Sequence, residues 1–419
     1  MIVKKTFKYR IYPTPAQEKM LYGWDRTLRR LWNLAHEQRL MGIWRTDPVY
    51  PSHMSQNKEV TLLLPDDPWL ARIPCCVRQE VPRILDTAWE RFFKKLAKRP
   101  RFKKRTNSIK FYFSTTAHWK VTGEGRKAQL RVTKARKGDD LGLIEIRLDR
   151  PMQGKLSSCS IVREVDEWYA VFPAEIEVPD PKPEPRPSVG IDRGVAKLMV
   201  DSAGGMVENP HFYDRMREKL ARAQREADHK KKGSNNRHKA LMKVAKIQQK
   251  IARQRKHLLH EQSRHYVDTF GTIGIEKLAI KNMSKSASGT KKKPGKKVRQ
   301  KSGLNRSILD AGWGMFGDML KYKAIETGAK VIEVPAAYTS QMCSKCGHID
   351  EKNRPSQAVF ACQKCGHAEN ADLNAARNIE ARALAAAVEP APIKKRVSVK
   401  LKGKKKKVAV VEETQIPSV

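Results

Sequence analysis

Residues 343–378 read CSKCGHIDEKNRPSQAVFACQKCGHAENADLNAARN and place a metal clamp beside a single acid. The cysteines are spaced Cys343-x2-Cys346-x15-Cys362-x2-Cys365. Each pair puts two thiolates on one knuckle turn, with Gly347 and Gly366 at matching positions after them. Four thiolates complete a tetrahedral zinc shell with no open position, which predicts one structural Zn2+. Reduced thiols in an apolar core do not fit, because the intervening HIDEKNRPSQ is too polar. With four sulfurs in place, His348 and His367 are not needed as ligands. Asp372 then stands near the start of a predicted helix containing ADLNAARNIEARALAAA.

Two further acids stand out upstream. Asp192 ends the apolar run VGID, and Glu276 ends TIGIE. Burying an unpaired charge costs several kcal/mol, so an acid at the end of a buried strand needs a partner. Taken singly, each is a salt-bridge partner or a turn former. The order changes the reading: a strand with Asp, a second strand, a helical insertion, a strand with Glu, then a helix with Asp. An RNase H-like nuclease core lays out its acids in this way. Convergent carboxylates hold two divalent cations about 3.5–4 Å apart for phosphodiester hydrolysis. Hard oxygen ligands suit Mg2+, with Mn2+ as the alternative.

The rest of the chain is compatible with that chemistry. It has 419 residues, 40% of them hydrophobic, enough for more than one folded domain. Its 85 Lys+Arg against 44 Asp+Glu give a net charge of +41, which calls for a polyanionic partner. Nucleic acid is the expected one, and basic runs with aromatics, such as RFFKK and KFYF, suit phosphate contacts and base stacking. No apolar run reaches membrane-span length, and the start MIVKKTFKYR lacks an apolar signal core. A membrane partner and secretion are therefore not expected, and the cysteine usage fits a reducing cytoplasm. Cys75, Cys76 and Cys159 read as interior thiols.

Val3, Phe7, Tyr9 and Ile11 alternate as in a strand, and Thr14 and Gln17 form a capping box ahead of a helix to about Leu40. A helix is predicted over about 76–98, starting late or kinking at Pro82, with Val77, Val81, Leu85, Phe92 and Leu96 on its apolar face. From about 108 to 178 the period is two, which predicts a small antiparallel barrel or sandwich joined by the first strand. PDPKPEPRP is a linker, residues 284–303 a mobile basic loop, and a helix is expected at about 304–327.

The chain resembles the TnpB family of RNA-guided endonucleases from insertion sequences, and their miniature type V CRISPR relatives. The matching stretches are VGIDRGV, GIEKL, NRSILDAGWGMF, VPAAYTSQMCSKCGHIDEKNRPSQAVFACQKCGH and ENADLNAARNI, with FKYRIYPTPAQEKML at the start. The likeness is strong over about 186–380 and moderate over 1–180. It implies an α/β plus β-barrel architecture. An RNase H-like (RuvC) nuclease domain at 186–340 and 366–388 would carry an inserted zinc ribbon at 341–367. A β-barrel wedge domain at 1–14 and 107–180 would carry a helical recognition lobe at 15–106, and 389–419 would be a basic disordered tail. The resemblance makes Asp192, Glu276 and Asp372 the catalytic, magnesium-binding acids. It also implies a guide RNA and double-stranded target DNA with a short flanking motif. The alternatives are a CRISPR-associated miniature effector or a guide-free nuclease, a zinc-ribbon DNA-binding protein without cleavage, and a DNA-end-joining transposase.

Overall fold

Alternation of apolar and basic residues makes Ile2–Tyr12 (β1) the spine of the first sheet, with Val3, Phe7, Tyr9 and Ile11 turned inward. The computed structural model describes residues 1–43, 50–104, 109–135, 140–181, 185–290 and 293–388. The expected tail 389–419, residues 182–184 of the linker and 291–292 of the basic loop lie outside the described residues. The chain forms two compact units, 1–180 with 213–254, and 181–212 with 255 onward.

In the first unit, the helices Pro15–Ile43 (α1), His53–Leu62 (α2), Pro68–Ala71 (α3) and Cys75–Phe93 (α4) follow β1. Seven further strands come next: Ile109–Phe113 (β2), Trp119–Thr122 (β3), Gln129–Val132 (β4), Leu143–Arg147 (β5), Lys155–Leu156 (β6), Cys159–Glu164 (β7) and Glu167–Glu177 (β8). All strand pairs are antiparallel, in the order β2-β7-β8-β1-β5-β4-β3, with β6 on β8. Among the described residues the end strands β2 and β3 do not pair, so the sheet is a half-barrel rather than a closed ring. Its concave side is filled by Tyr9, Ile11, Phe111, Phe113, Ile144, Ile161, Trp168 and Phe172.

The capping box forms as its residue types require. The Thr14 N–H donates to Gln17 Oε1 at 2.8 Å, and the Gln17 N–H to Thr14 Oγ1 at 3.3 Å. Helix α4 departs from expectation. It neither starts late nor ends near 98, but runs from Cys75 through Pro82 to Phe93. Burial of Val77, Val81, Leu85 and Trp89 along one face outweighs the hydrogen bond that proline removes. Past its end Lys95 takes a positive φ, and Leu96 is exposed rather than on the apolar face. Cys76 and Cys159 are interior thiols, but Cys75, at the first position of α4, is exposed.

The second sheet orders Met206–Glu208 (β11), Lys197–Asp201 (β10), Ser188–Asp192 (β9), Thr272–Glu276 (β12) and Lys330–Val334 (β13). Strand β9 runs antiparallel to β10 and parallel to β12, and β12 parallel to β13. Two long helices, Phe212–Asp228 (α5) and Asn235–Thr269 (α6), separate β11 from β12 in the chain. After β12 come Ile280–Met283 (α7), Val298–Ala311 (α8) and Trp313–Thr327 (α9). A helix therefore begins inside the expected basic loop, and the single helix expected at 304–327 is two. Gly312, at φ +69°, breaks it, because a left-handed residue cannot continue a right-handed helix. The strands Val359–Ala361 (β14) and Ala368–Asn370 (β15) pair, and Ala371–Val388 (α10) closes the described chain.

The second sheet buries both faces. Val189, Ile191, Ile273 and Ile275 pack with Tyr266, Phe316 and Leu320 on one side. The alternate positions, Gly190 with Asp192 and Gly274 with Glu276, belong to the other side, where α10 lies. Gly190 and Gly274 are register partners on neighbouring strands. A Cβ at Gly190 would stand 2.1 Å from the Ala376 carbonyl oxygen, and one at Gly274 2.7 Å from Ala383 Cβ. The two glycines make a trough in which α10 rests on Ala376, Ile379 and Ala383, all fully buried. No helix among the described residues is long and apolar enough to cross a membrane.

Candidate functional site

Strand pairing brings the first two acids together. Ile191 is the register partner of Ile275, so Asp192 and Glu276 end adjacent parallel strands on the face that α10 covers. Helix α10 supplies the third from its first turn. Asn370 caps it, its Oδ1 accepting from the N–H groups of Asp372 and Leu373 at 3.0 and 3.2 Å. The proximity of the three is electrostatically evident. Burial first, and then the negative charges of Glu276 and Asp372, push the Asp192 carboxyl up to about 7. Arg354 and the main-chain N–H of Arg193 act in the opposite direction.

Each acid is held by a neighbour. Thr339 Oγ1 donates to Glu276 Oε1 at 2.8 Å. Arg354 forms an ion pair with Asp372 at 3.2 Å. Buried Arg193 donates to the carbonyls of Trp313, at 3.1 Å, and of Glu276, fastening the ends of β9 and β12 to the start of α9. The three carboxylates come from separate elements, are part-buried, and have Arg354 paired with one of them; such hard oxygens are the donor type that Mg2+ takes.

The thiols lie beside this cluster in the chain. Their four Sγ atoms all fall within 4.8 Å of one another, a clustering found nowhere else among His, Cys, Asp and Glu in the described residues. Cys343 and Cys365 are 3.7 Å apart, and Cys346 and Cys362 3.6 Å. A tetrahedron with zinc–sulfur bonds of about 2.3 Å has edges of about 3.8 Å, so the thiols fit a zinc ion. Each knuckle closes alike. Gly347 and Gly366, both left-handed, donate to the carbonyls of Cys343 and Cys362 at 2.9 and 3.0 Å. His348 and His367 stay outside the thiol group. His367 instead pairs with Glu369 at 2.8 Å.

Several side chains that fasten the site were not singled out from the sequence. Asn353, fully buried, donates to the carbonyls of Gln341 and His348 and accepts from the Gln363 N–H, tying one knuckle to the other. Asn374 and Asn378 of α10 both donate to the Met342 carbonyl, at 2.8 and 2.7 Å. Their spacing of four in an alanine-rich helix is a legible signal for one helix face. Arg354 and Thr339 carry no such signal, lying in a polar spacer and a loop.

The trough predicts a mutational effect. Gly190→Ala should lower stability by about 1–3 kcal/mol through overpacking, and displace the helix that carries Asp372. Thermal melting measures it, with Gly23→Ala in α1 as the control. A Cβ there meets nothing within 4 Å and should be neutral or stabilising.

Comparison with known proteins places these features in context. Residues 171–287 match a family described as a probable transposase, and residues 313–379 one described as a Cas12f1-like TNB domain. Residues 1–40 match a family described as a helix-turn-helix domain, although here they form β1 and most of the single helix α1. A putative RNA-guided DNA endonuclease, InsQ, from Escherichia coli K12 is 39% identical over 74% of this chain and 75% of its own. A putative RNA-guided DNA endonuclease from Streptomyces pristinaespiralis is 30% identical over 92% and 90%. The CRISPR-associated endodeoxyribonuclease Cas12f1 of Sulfoacidibacillus thermotolerans is 29% identical over 55% of each. Among solved structures, Cas12f1 in a complex with single-guide RNA and target DNA aligns over 90% of this chain and 99% of its own. Its TM-score is 0.51 and its identity 13%. The mini-RNA-guided endonuclease Cas_phi3 aligns over 91% and 92%, with a TM-score of 0.52 and 11% identity. These two likenesses concern the fold.

Proposed function

Because the chain belongs to the TnpB family of RNA-guided DNA endonucleases, we propose that it cuts double-stranded DNA at sites selected by a bound guide RNA. Asp192, Glu276 and Asp372 form the hydrolytic centre, in an RNase H-like (RuvC) domain into which the zinc ribbon is inserted. The reading rests on the register that ends Asp192 and Glu276 on neighbouring strands, and on the Asp192 carboxyl, raised to about 7 by burial first and then by the charges of Glu276 and Asp372. Such an accumulation of negative charge has a purpose if cations are to bind it.

Two Mg2+ ions held by these carboxylates, with Mn2+ as a substitute, would supply the charge that activates a water and stabilises the departing 3′ oxygen. The chain's own groups do the positioning. Thr339 orients Glu276, Arg193 fixes the strand ends, and the Asn370 cap sets the first turn of α10. Arg354 brings a guanidinium to the edge of the cluster, where its fork geometry suits a phosphate as well as a carboxylate. The half-barrel and the helices α1–α4 are assigned to wedge and recognition roles. Base pairing reads the target sequence, while the protein holds backbones and reads a short flanking motif. The net charge of +41 suits that division of labour.

The transposon-associated reading is preferred to a CRISPR effector because the InsQ relative aligns over 75% of its length, against 55% for the Cas12f1 relative. The test is to sequence RNA that co-purifies with the protein, reprogram its variable end, and assay cleavage of a matching plasmid with Mg2+. One discrete RNA species and guide-dependent cutting are expected. Tight target binding without cutting would favour the non-cleaving zinc-ribbon reading.

A further inference from the structure

Tyr338 unites three properties that its role in the fold does not explain. Its side chain is 60% exposed. Its φ is +62°, a left-handed conformation that bulky residues avoid. Its neighbour Thr339 holds the Glu276 carboxylate. Of the non-glycine residues with positive φ in the described chain, Lys95, Val165, His211, Lys297 and Tyr338, it carries the largest aromatic face.

Strain of this kind persists where the surroundings over-determine it, and it gathers at functional sites. Here one face of α10 supplies the constraint. Arg382 donates to the carbonyls of Pro335 and Ala337, both at 2.8 Å. Asn378 donates to the carbonyls of Thr339 and Met342, at 2.9 and 2.7 Å. Asn374 donates to Met342 at 2.8 Å. Asn374, Asn378 and Arg382 are spaced by four, so successive turns grip successive carbonyls of the loop. The N–H groups of Gln341 and Met342 close a turn on the Tyr338 carbonyl, at 3.1 and 3.0 Å. The backbone is thus clamped on both sides of Tyr338 while the ring faces outward. Glycine would accept this φ without strain, and Tyr338 is not among the buried core residues.

We propose that Tyr338 is a stacking platform for an unpaired nucleobase of the DNA strand being cut, beside the scissile phosphate. This rests on the nuclease reading and deepens it by adding a substrate subsite. An aromatic face stacks on any base, so it holds a strand without selecting sequence, which suits an enzyme whose sequence choice is made by a guide. The platform and the metal-binding acids move as one body, because α10 carries Asp372 and grips the Tyr338 loop.

Two measurements test this. The first is guided cleavage of targets in which a single abasic nucleotide is stepped through the strand around the cut, by the native protein, Tyr338→Phe and Tyr338→Gly. The native protein and Tyr338→Phe should show one position where base loss slows cutting about tenfold. Tyr338→Gly should cut about tenfold more slowly on intact DNA, lose that positional dip, and melt no lower than the native protein because its backbone strain is relieved. The second is fluorescence of single-stranded DNA carrying 2-aminopurine at stepped positions, bound in Ca2+. Quenching at one position should vanish in Tyr338→Gly. Unchanged abasic and quenching profiles in Tyr338→Gly would overturn the stacking role. So would equal losses in Tyr338→Phe, or a slower cut explained by a lower melting temperature. Tyrosine-dependent quenching in a protein that never cuts would instead overturn the nuclease reading and leave the subsite standing.

Discussion

Replacing Asp192 with alanine should lower guided DNA cleavage by about a thousand-fold or more, a loss of about 4 kcal/mol of transition-state stabilisation. Affinity for guide RNA and target should change by less than about twofold, because the proposed role of the side chain is to bind metal and not to contact phosphate. The isosteric Asp192→Asn separates catalysis from folding. In EDTA it should melt higher than the native protein, since it removes a carboxylate buried beside two others. A dead enzyme with a more stable fold is the signature of a group kept for chemistry. Single-turnover cleavage, filter binding and thermal melting measure the three quantities. Undiminished cutting by Asp192→Ala in Mg2+ would remove this residue from the mechanism.

The second large effect concerns zinc. Elemental analysis should find one zinc per chain in the native protein and none after the double substitution Cys343→Ser with Cys346→Ser, which should also reduce cleavage at least about a hundred-fold. A structural zinc site contributes about 10 kcal/mol or more of local folding free energy. The path to the acids can be traced through named contacts. Cys343 ends the loop whose Thr339 holds Glu276. The next residue, Ser344, donates its N–H to Asn374 Oδ1 at 2.9 Å and its hydroxyl to Glu369 at 3.0 Å. Asn374 lies on the helix of Asp372. Arg354, which pairs with Asp372, belongs to the segment between the two knuckles. Loss of the metal therefore frees partners of two acids at once. Full cleavage by a protein shown to contain no zinc would refute this coupling.

The positions of these residues differ in how far they could be read in advance. The thiol set was legible because knuckle spacing is a property of a few adjacent residues, and the sulfur–sulfur distances agree with it. The acids were legible as strand ends and a helix start, because apolar runs of period two and an alanine-rich run announce those elements. Burial by hydrophobic spacing alone misjudged α4, where Leu96 is exposed, and it missed the break at Gly312. Both errors lie at helix ends, where a single left-handed residue outranks periodicity.

Local order along the chain determined, without any structure, the strand and helix types, the paired thiols spaced for a metal and the basic character that suits a polyanion. Such properties depend on neighbours within a turn or two, and the chain states those neighbours directly. Only tertiary structure decided that Gly190 and Gly274 form one trough, that Arg354 reaches Asp372 and that Thr339 reaches Glu276. The same holds for the grip of α10 on the loop of Tyr338. The Arg354–Asp372 and Thr339–Glu276 contacts join residues 18 and 63 positions apart in the chain. Their geometry follows from packing a helix against a twisted sheet, which no run of adjacent residues encodes.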